Sequence, residues 1–173
     1  MCGITGFATG THLSADDTRT LQRMTEALVH RGPDADGTWS DAEAGVAFGH
    51  RRLSIVDLSK AGAQPMHDAS GRYVITYNGE LYNFPALRKD LEAVGVTFRG
   101  HSDTEVLIEA CAHWGTEATL KRLNGIFAFG LWDRQQRSLT LARDHIGIKP
   151  LYWAKTGSTL LFASELKAMH AHP

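Results

Sequence analysis

Ile126-Phe127-Ala128-Phe129-Gly130-Leu131-Trp132-Asp133, then Arg134-Gln135-Gln136-Arg137, then Ser138-Leu139-Thr140-Leu141-Ala142-Arg143 is the stretch that decides the fold. Two apolar runs flank a short polar connector, which is a hairpin signature. A connector of that length turns the chain straight back, because a parallel neighbour needs a crossover of a dozen or more residues. The pattern recurs downstream, where Leu151 to Ala154 and Thr159 to Ala163 flank Gly157. Upstream, Ile4 to Ala8 reads as a buried strand. Val46 to Val56 reads as a strand with a break near His50 and Arg51. Tyr73 to Tyr77 reads as a strand ending at Asn78-Gly79, and His30 to Gly37 as a turn-rich loop.

Few helices lie between these strands. Ser14, with an acid three residues on, caps a helix that carries Leu21, Met24 and Leu28 to about Val29. Asn83 can cap a second, with Leu87, Leu91 and Val94 on its apolar face. Ser102-Asp103-Thr104-Glu105 is a capping box. It opens a helix that buries Val106, Ile108, Ala110, Cys111 and Trp114 and stops at Gly115. Ser164 caps a last helix. Many hairpin-spaced strands and few helices predict antiparallel sheets covered by helices, an α+β fold and not a doubly wound parallel one.

The length of 173 residues suits one domain, spanning 1–173. With 18 Lys plus Arg against 19 Asp plus Glu, the chain lacks the basic surplus of a nucleic-acid binder. Its apolar runs fall far short of the roughly 20 residues that span a bilayer. Met1 to Phe7 has neither a basic region nor a long apolar one, so no secretory signal is expected. Two cysteines cannot build a disulfide framework, and no CxxC pair occurs. The expectation is a reducing, cytoplasmic setting without membrane partners. The nine histidines show no metal-ligand spacing, so no metal is expected. No GxxxxGK[ST] or GxGxxG pattern marks a nucleotide site.

Four places carry chemistry. Cys2 follows the initiator methionine, which aminopeptidases remove before small side chains. Removal would leave one residue with both a thiol and an α-amino group able to accept its proton near neutral pH. Asn78-Gly79 is the commonest hairpin turn. Equally, an Asn amide and a Gly N–H can form an oxyanion hole, and both readings stand at this point. Arg52 is either a surface ion pair or a clamp for a substrate carboxylate. Asp103 either complements a helix dipole or pairs with a substrate ammonium. Cys111, on an apolar helical face, reads as core.

The ordered blocks Met1-Cys2-Gly3-Ile4, His30-Arg31-Gly32-Pro33-Asp34, His50 to Asp57, Gly62-Ala63-Gln64-Pro65-Met66, Tyr77 to Asn83, Ser102 to Glu105, Leu123 to Phe129, Ala142 to Tyr152 and Ala163 to Lys167 cover the chain. Together they resemble the N-terminal class II glutamine amidotransferase domain of glutamine-hydrolysing asparagine synthetases. The resemblance implies a four-layer αββα fold of the N-terminal-nucleophile hydrolases. It implies Cys2 as nucleophile and Asn78 and Gly79 as oxyanion hole. It places Arg52 on the α-carboxylate of L-glutamine and Glu80 and Asp103 near its α-ammonium. Leu53, Ser54, Ile55 and Val56 would line the pocket with backbone.

The same resemblance implies a longer enzyme whose C-terminal synthetase domain, with ATP and magnesium, lies outside this chain. No cofactor is expected within it, and a homodimer is a possible assembly. The ammonia acceptor stays open between aspartate and a surface-polysaccharide sugar carboxylate. Two other readings are a purine or aminosugar amidotransferase and a non-catalytic domain that retains Met1.

Overall fold

The computed structural model describes residues 1–53 and 62–173. Among these, one sheet runs in the order β2 (Ala35–Asp41), β3 (Val46–Arg52), β1 (Gly3–Ala8), β9 (Thr159–Ala163) and β8 (Tyr152–Thr156). The other runs β4 (Met66–His67), β5 (Tyr73–Leu81), β6 (Gly125–Asp133) and β7 (Ser138–Arg143). Every described pairing is antiparallel.

Side-chain alternation sorts the strands into layers. Ile4, Val46, Phe48, Val74, Ala128, Trp132 and Phe162 meet between the sheets. On the outer face of the first sheet, Phe7, Ala47 and Leu161 pack on Leu21 and Met24 of α1 (Ala15–Glu26). On the outer face of the second, Tyr73, Ile75, Tyr77, Phe127, Phe129 and Leu131 pack on Leu107, Ile108 and Cys111 of α3 (Asp103–Trp114). Leu87 and Leu91 of α2 (Phe84–Ala93) cover the far side of α3 at Val106 and Ala110. Short helices α4 (Thr116–Leu120) and α5 (Leu166–Met169) complete the outer layers. This is the expected four-layer αββα arrangement. A strand covered on both faces reads as continuously apolar, which is why β6 shows no polar alternation. Gly6 is glycine because a Cβ there would come within 2.6 Å of Ala47 O and the Phe162 ring.

Several local expectations change. β3 runs unbroken through His50 and Arg51, because the buried His50 finds a partner across the sheets. β5 continues through Asn78-Gly79 to Leu81, paired residue for residue with β6, so Asn78-Gly79 is strand and not turn. β2 begins at Ala35, inside the expected loop. It is an edge strand with mostly exposed side chains, so it lacks the apolar alternation that marks a strand. Asn83 sits at the N-cap position of α2, but its side chain makes no capping bond and instead bridges Arg122 O and Asn124 N–H. Val94 lies beyond α2 and is exposed. Ser102 accepts from Glu105 N–H, but the Glu105 carboxylate turns to the N–H groups of Arg99 and Gly100. Ser164 does not cap α5, since its hydroxyl accepts from Ile4 N–H at 3.0 Å.

Candidate active site

The site grows out of the unequal lengths of β4 and β5. Along a strand, the N–H and C=O of one residue point to the same side, and successive residues alternate. Arg72 and Tyr82 bond toward the β6 side, at Arg134 N–H and Asn124 O. The odd-numbered residues of β5 therefore face the other way, toward β4. But β4 pairs only with Val74 and Ile75. Beyond it, side chains take over the edge. Gln64 Oε1 accepts from Tyr77 N–H at 2.6 Å, and Asp103 Oδ2 accepts from Leu81 N–H at 3.0 Å. Between them lies Gly79, whose N–H faces the same way and opens on a pocket.

That pocket is a cavity of about 170 Å³. Roughly 300–1,000 Å³ is usual for drug-sized ligands, so this one suits a small metabolite. Its walls include Cys2, Arg52, Leu53, Asn78, Glu80 and Asp103. The strand faces explain their convergence. Cys2 leads directly into β1. Arg52 closes β3 on the inter-sheet face that Phe48 and His50 share. Asn78 has the parity of Val74 and Thr76, whose side chains also face the first sheet. Asp103 starts α3 above the outer face.

Cys2 Sγ is 3.5 Å from Leu53 N and 3.7 Å from Leu53 O. A thiolate would keep the first contact, as acceptor. Arg31 Nε donates to Cys2 O at 3.0 Å, and Arg31 Nη1 reaches Glu165 at 2.9 Å. Burial works to raise the Glu165 carboxyl, but hydrogen bonds from Arg31, His30 and Lys167 outweigh it and hold it to about 2. The backbone of Cys2 is thus anchored to a charged pair. Met1 is 57% exposed at the pocket wall.

Asn78 is only 2% exposed, yet its Nδ2 has no hydrogen-bond partner among the described residues. Such an orphaned donor costs about 1–3 kcal/mol and calls for an explanation. Gly79 cannot be larger, because a Cβ would meet Ile126 O and the Tyr77 hydroxyl at 2.6 Å. Tyr77 donates through that hydroxyl to Asp103 Oδ2 at 2.8 Å. Burial pushes the Tyr77 phenol well above its ordinary range, and the neighbouring Asp103 adds to this, so it stays a donor. Burial also raises the Asp103 carboxyl, against the bonds from Leu81 N–H and Tyr77. Glu80 is exposed at the rim.

Of the residues expected at a site, Cys2, Arg52, Leu53, Asn78, Gly79, Glu80 and Asp103 share this pocket. Ser54, Ile55 and Val56 lie outside the described residues. Cys111 is fully buried, and burial pushes its thiol up to about 12. Sequence reading passed over Tyr77 and Gln64 as wall residues and over Arg31 behind Cys2. All three sit in the quoted blocks, but only the third dimension gives them neighbours. Among the described residues, no group of three or more His, Cys, Asp or Glu side chains could hold a metal, and no helix is long and apolar enough to cross a membrane.

Known proteins share this sequence and shape. Asparagine synthetase [glutamine-hydrolyzing] 3 of Bacillus subtilis is 46% identical over 100% of this chain and 28% of that protein. Asparagine synthetase [glutamine-hydrolyzing] 1 of the same organism is 44% identical over 98% and 26%. The chain therefore spans little more than a quarter of these relatives. The solved glutamine phosphoribosylpyrophosphate amidotransferase of B. subtilis superposes with a TM-score of 0.81 at 22% identity, over 98% of this chain and 43% of that one, which speaks for the fold. The family model described as glutamine amidotransferase domain matches residues 1–173, and the chain belongs to that family.

Proposed function

We propose that this domain hydrolyses L-glutamine to glutamate and ammonia through a thioester on Cys2, and that the ammonia serves an ATP-dependent synthetase domain of the same polypeptide. The observation that carries the reading is the pocket itself. One thiol, one buried amide donor and one strand-edge N–H, the two donors without partners among the described residues, meet where a guanidinium and two carboxylates can hold an amino acid.

Met1 removal gives Cys2 a free α-amine, which takes the thiol proton. The thiolate attacks the side-chain carboxamide carbon. The oxygen becomes an oxyanion within reach of Asn78 Nδ2–H and Gly79 N–H. Collapse breaks the C–N bond, and the Cys2 ammonium returns its proton to the departing ammonia. Water, deprotonated by the same amine, then cleaves the thioester to glutamate and regenerates the thiol. Arg52 holds the α-carboxylate, and Asp103 with Glu80 holds the α-ammonium. Leu53 N–H steadies the sulfur. The similarity to asparagine synthetases supports aspartate as the final acceptor, with asparagine as product; ATP and magnesium belong to that other domain. The test is ammonium release from glutamine. Cys2→Ala should abolish it, and the intact mass of the active protein should lack one methionine. Wild-type rates from Cys2→Ala would end the proposal.

A further inference from the structure

Gln64 lines the pocket and has no task in the proposed mechanism. Its Oε1 accepts from Tyr77 N–H at 2.6 Å, and its Nε2 donates to Thr104 Oγ1 at 3.4 Å. From the first sheet, His50 Nε2 lies 3.1 Å from Tyr77 O. His50 is 1% exposed, and its imidazole is held to about 4, chiefly by burial. It is therefore neutral near pH 7, and a carbonyl partner selects the tautomer with its proton on Nε2. Both peptide units of Tyr77 are thus fixed by side chains just where β4 has ended and, among the described residues, no further strand pairs on that edge.

We propose that Gln64 is a positioning residue, which together with His50 clamps Tyr77 so that Asn78 Nδ2 and Gly79 N–H are aimed before substrate arrives. The inference rests on the glutaminase reading above. The clamp sits one residue upstream of Asn78 and two upstream of Gly79. A strand edge without partners would otherwise move and take its donors with it. Oxyanion donors work because they are already oriented when charge develops. Through Thr104, the same amide ties this edge to the start of α3, which carries Asp103. One side chain therefore couples the end of the pocket where the amide reacts to the end that holds the substrate ammonium. Gln64 acts through Tyr77 and touches neither the sulfur nor the scissile bond.

Such a role has a kinetic signature, since loss of an interaction felt mainly in the transition state lowers kcat and leaves KM. Gln64→Met keeps the length and removes the acceptor. Its kcat for glutamine hydrolysis should fall about tenfold, with KM within about twofold of wild type. Gln64→Glu restores an oxygen acceptor opposite Tyr77 N–H and should recover kcat to within about threefold. Amide hydrogen exchange gives a second readout. Tyr77 N–H should exchange faster in Gln64→Met, while Val74, bonded toward β6, keeps its wild-type protection. If Gln64→Met does not fold, Gln64→Asn, which withdraws the amide by one methylene, carries the same expectations.

A kcat within twofold of wild type, a loss confined to KM, or unchanged exchange at Tyr77 would overturn the clamp. A wild-type chain that releases no ammonia would instead overturn the glutaminase reading, and the exchange measurement alone would then decide the clamp.

Discussion

The two halves of β5 obey the same geometry and end in opposite uses. From Tyr73 to Thr76 the strand lies between β4 and β6, with Ile75 fully buried under α3. From Tyr77 to Leu81 it keeps β6 but has lost β4. Its outward groups are taken by side chains, Gln64 and His50 at Tyr77 and Asp103 at Leu81. The first half is satisfied by backbone and packs. The second is satisfied piecemeal, and among the described residues a gap at Gly79 N–H coincides with an orphaned Asn78 amide. A binding site arises here by withholding a strand partner, with no special loop required.

The strongest way to break this contrast is Asn78→Ala. If the orphaned amide exists for an oxyanion, kcat for glutamine hydrolysis should fall about 10²–10³-fold. Folding stability should not fall by more than about 1 kcal/mol, because the amide donor removed has no partner among the described residues and its burial cost goes with it. A large loss of stability with kcat retained would make Asn78 a structural residue like those of the first half.

His50, at the junction of the halves, supplies a pH test. Burial lowers its imidazole from 6.5 to about 4; the bond to Tyr77 O opposes this and the Arg52 charge adds to it. A depressed histidine contributes stability that is fully present above its unfolded value. That contribution is lost as pH falls from 6.5 toward about 4. The whole shift corresponds to about 3 kcal/mol. His50→Gln keeps an N–H donor for Tyr77 O but cannot titrate. Urea unfolding near pH 7 and near pH 4.5 should show that wild type loses about 2–3 kcal/mol more than the variant. Equal losses would mean that His50 is not held neutral by the junction.

The smallest effect sharpens the other half. Ile75→Val should cost about 0.5–1.5 kcal/mol of stability, read from denaturant unfolding. Its kcat should match wild type, since nothing in the covered half reaches the pocket. A kcat loss there would show that the halves are mechanically coupled.

Much of this was legible along the chain. The β6–β7 hairpin stood out because both faces of β6 are buried and a short polar connector separates the runs. The α3 start was legible because Ser102 and Glu105 are local partners. β2 was not, since an exposed edge strand carries no alternation to read. Asn78-Gly79 read as a turn because dipeptide preference is local, whereas β6 offers a nine-residue partner that keeps the pair extended. At the pocket, Cys2 was conspicuous by its position next to Met1, and Arg52 and Asp103 by type. Gln64 and Tyr77 gave no such sign, because an amide and a phenol are common and their value here lies in one distance each.

The sequence by itself determined the antiparallel, helix-covered fold class and the one thiol suited to N-terminal chemistry, because hairpin spacing and adjacency to Met1 are properties of neighbours in the chain. Tertiary structure alone decided that β4 stops short of Tyr77 and that Gln64, just before β4, and His50, in the other sheet, hold that residue's N–H and C=O. Those facts depend on which strand edge lacks a partner and on burial, and both are set by residues far apart in sequence.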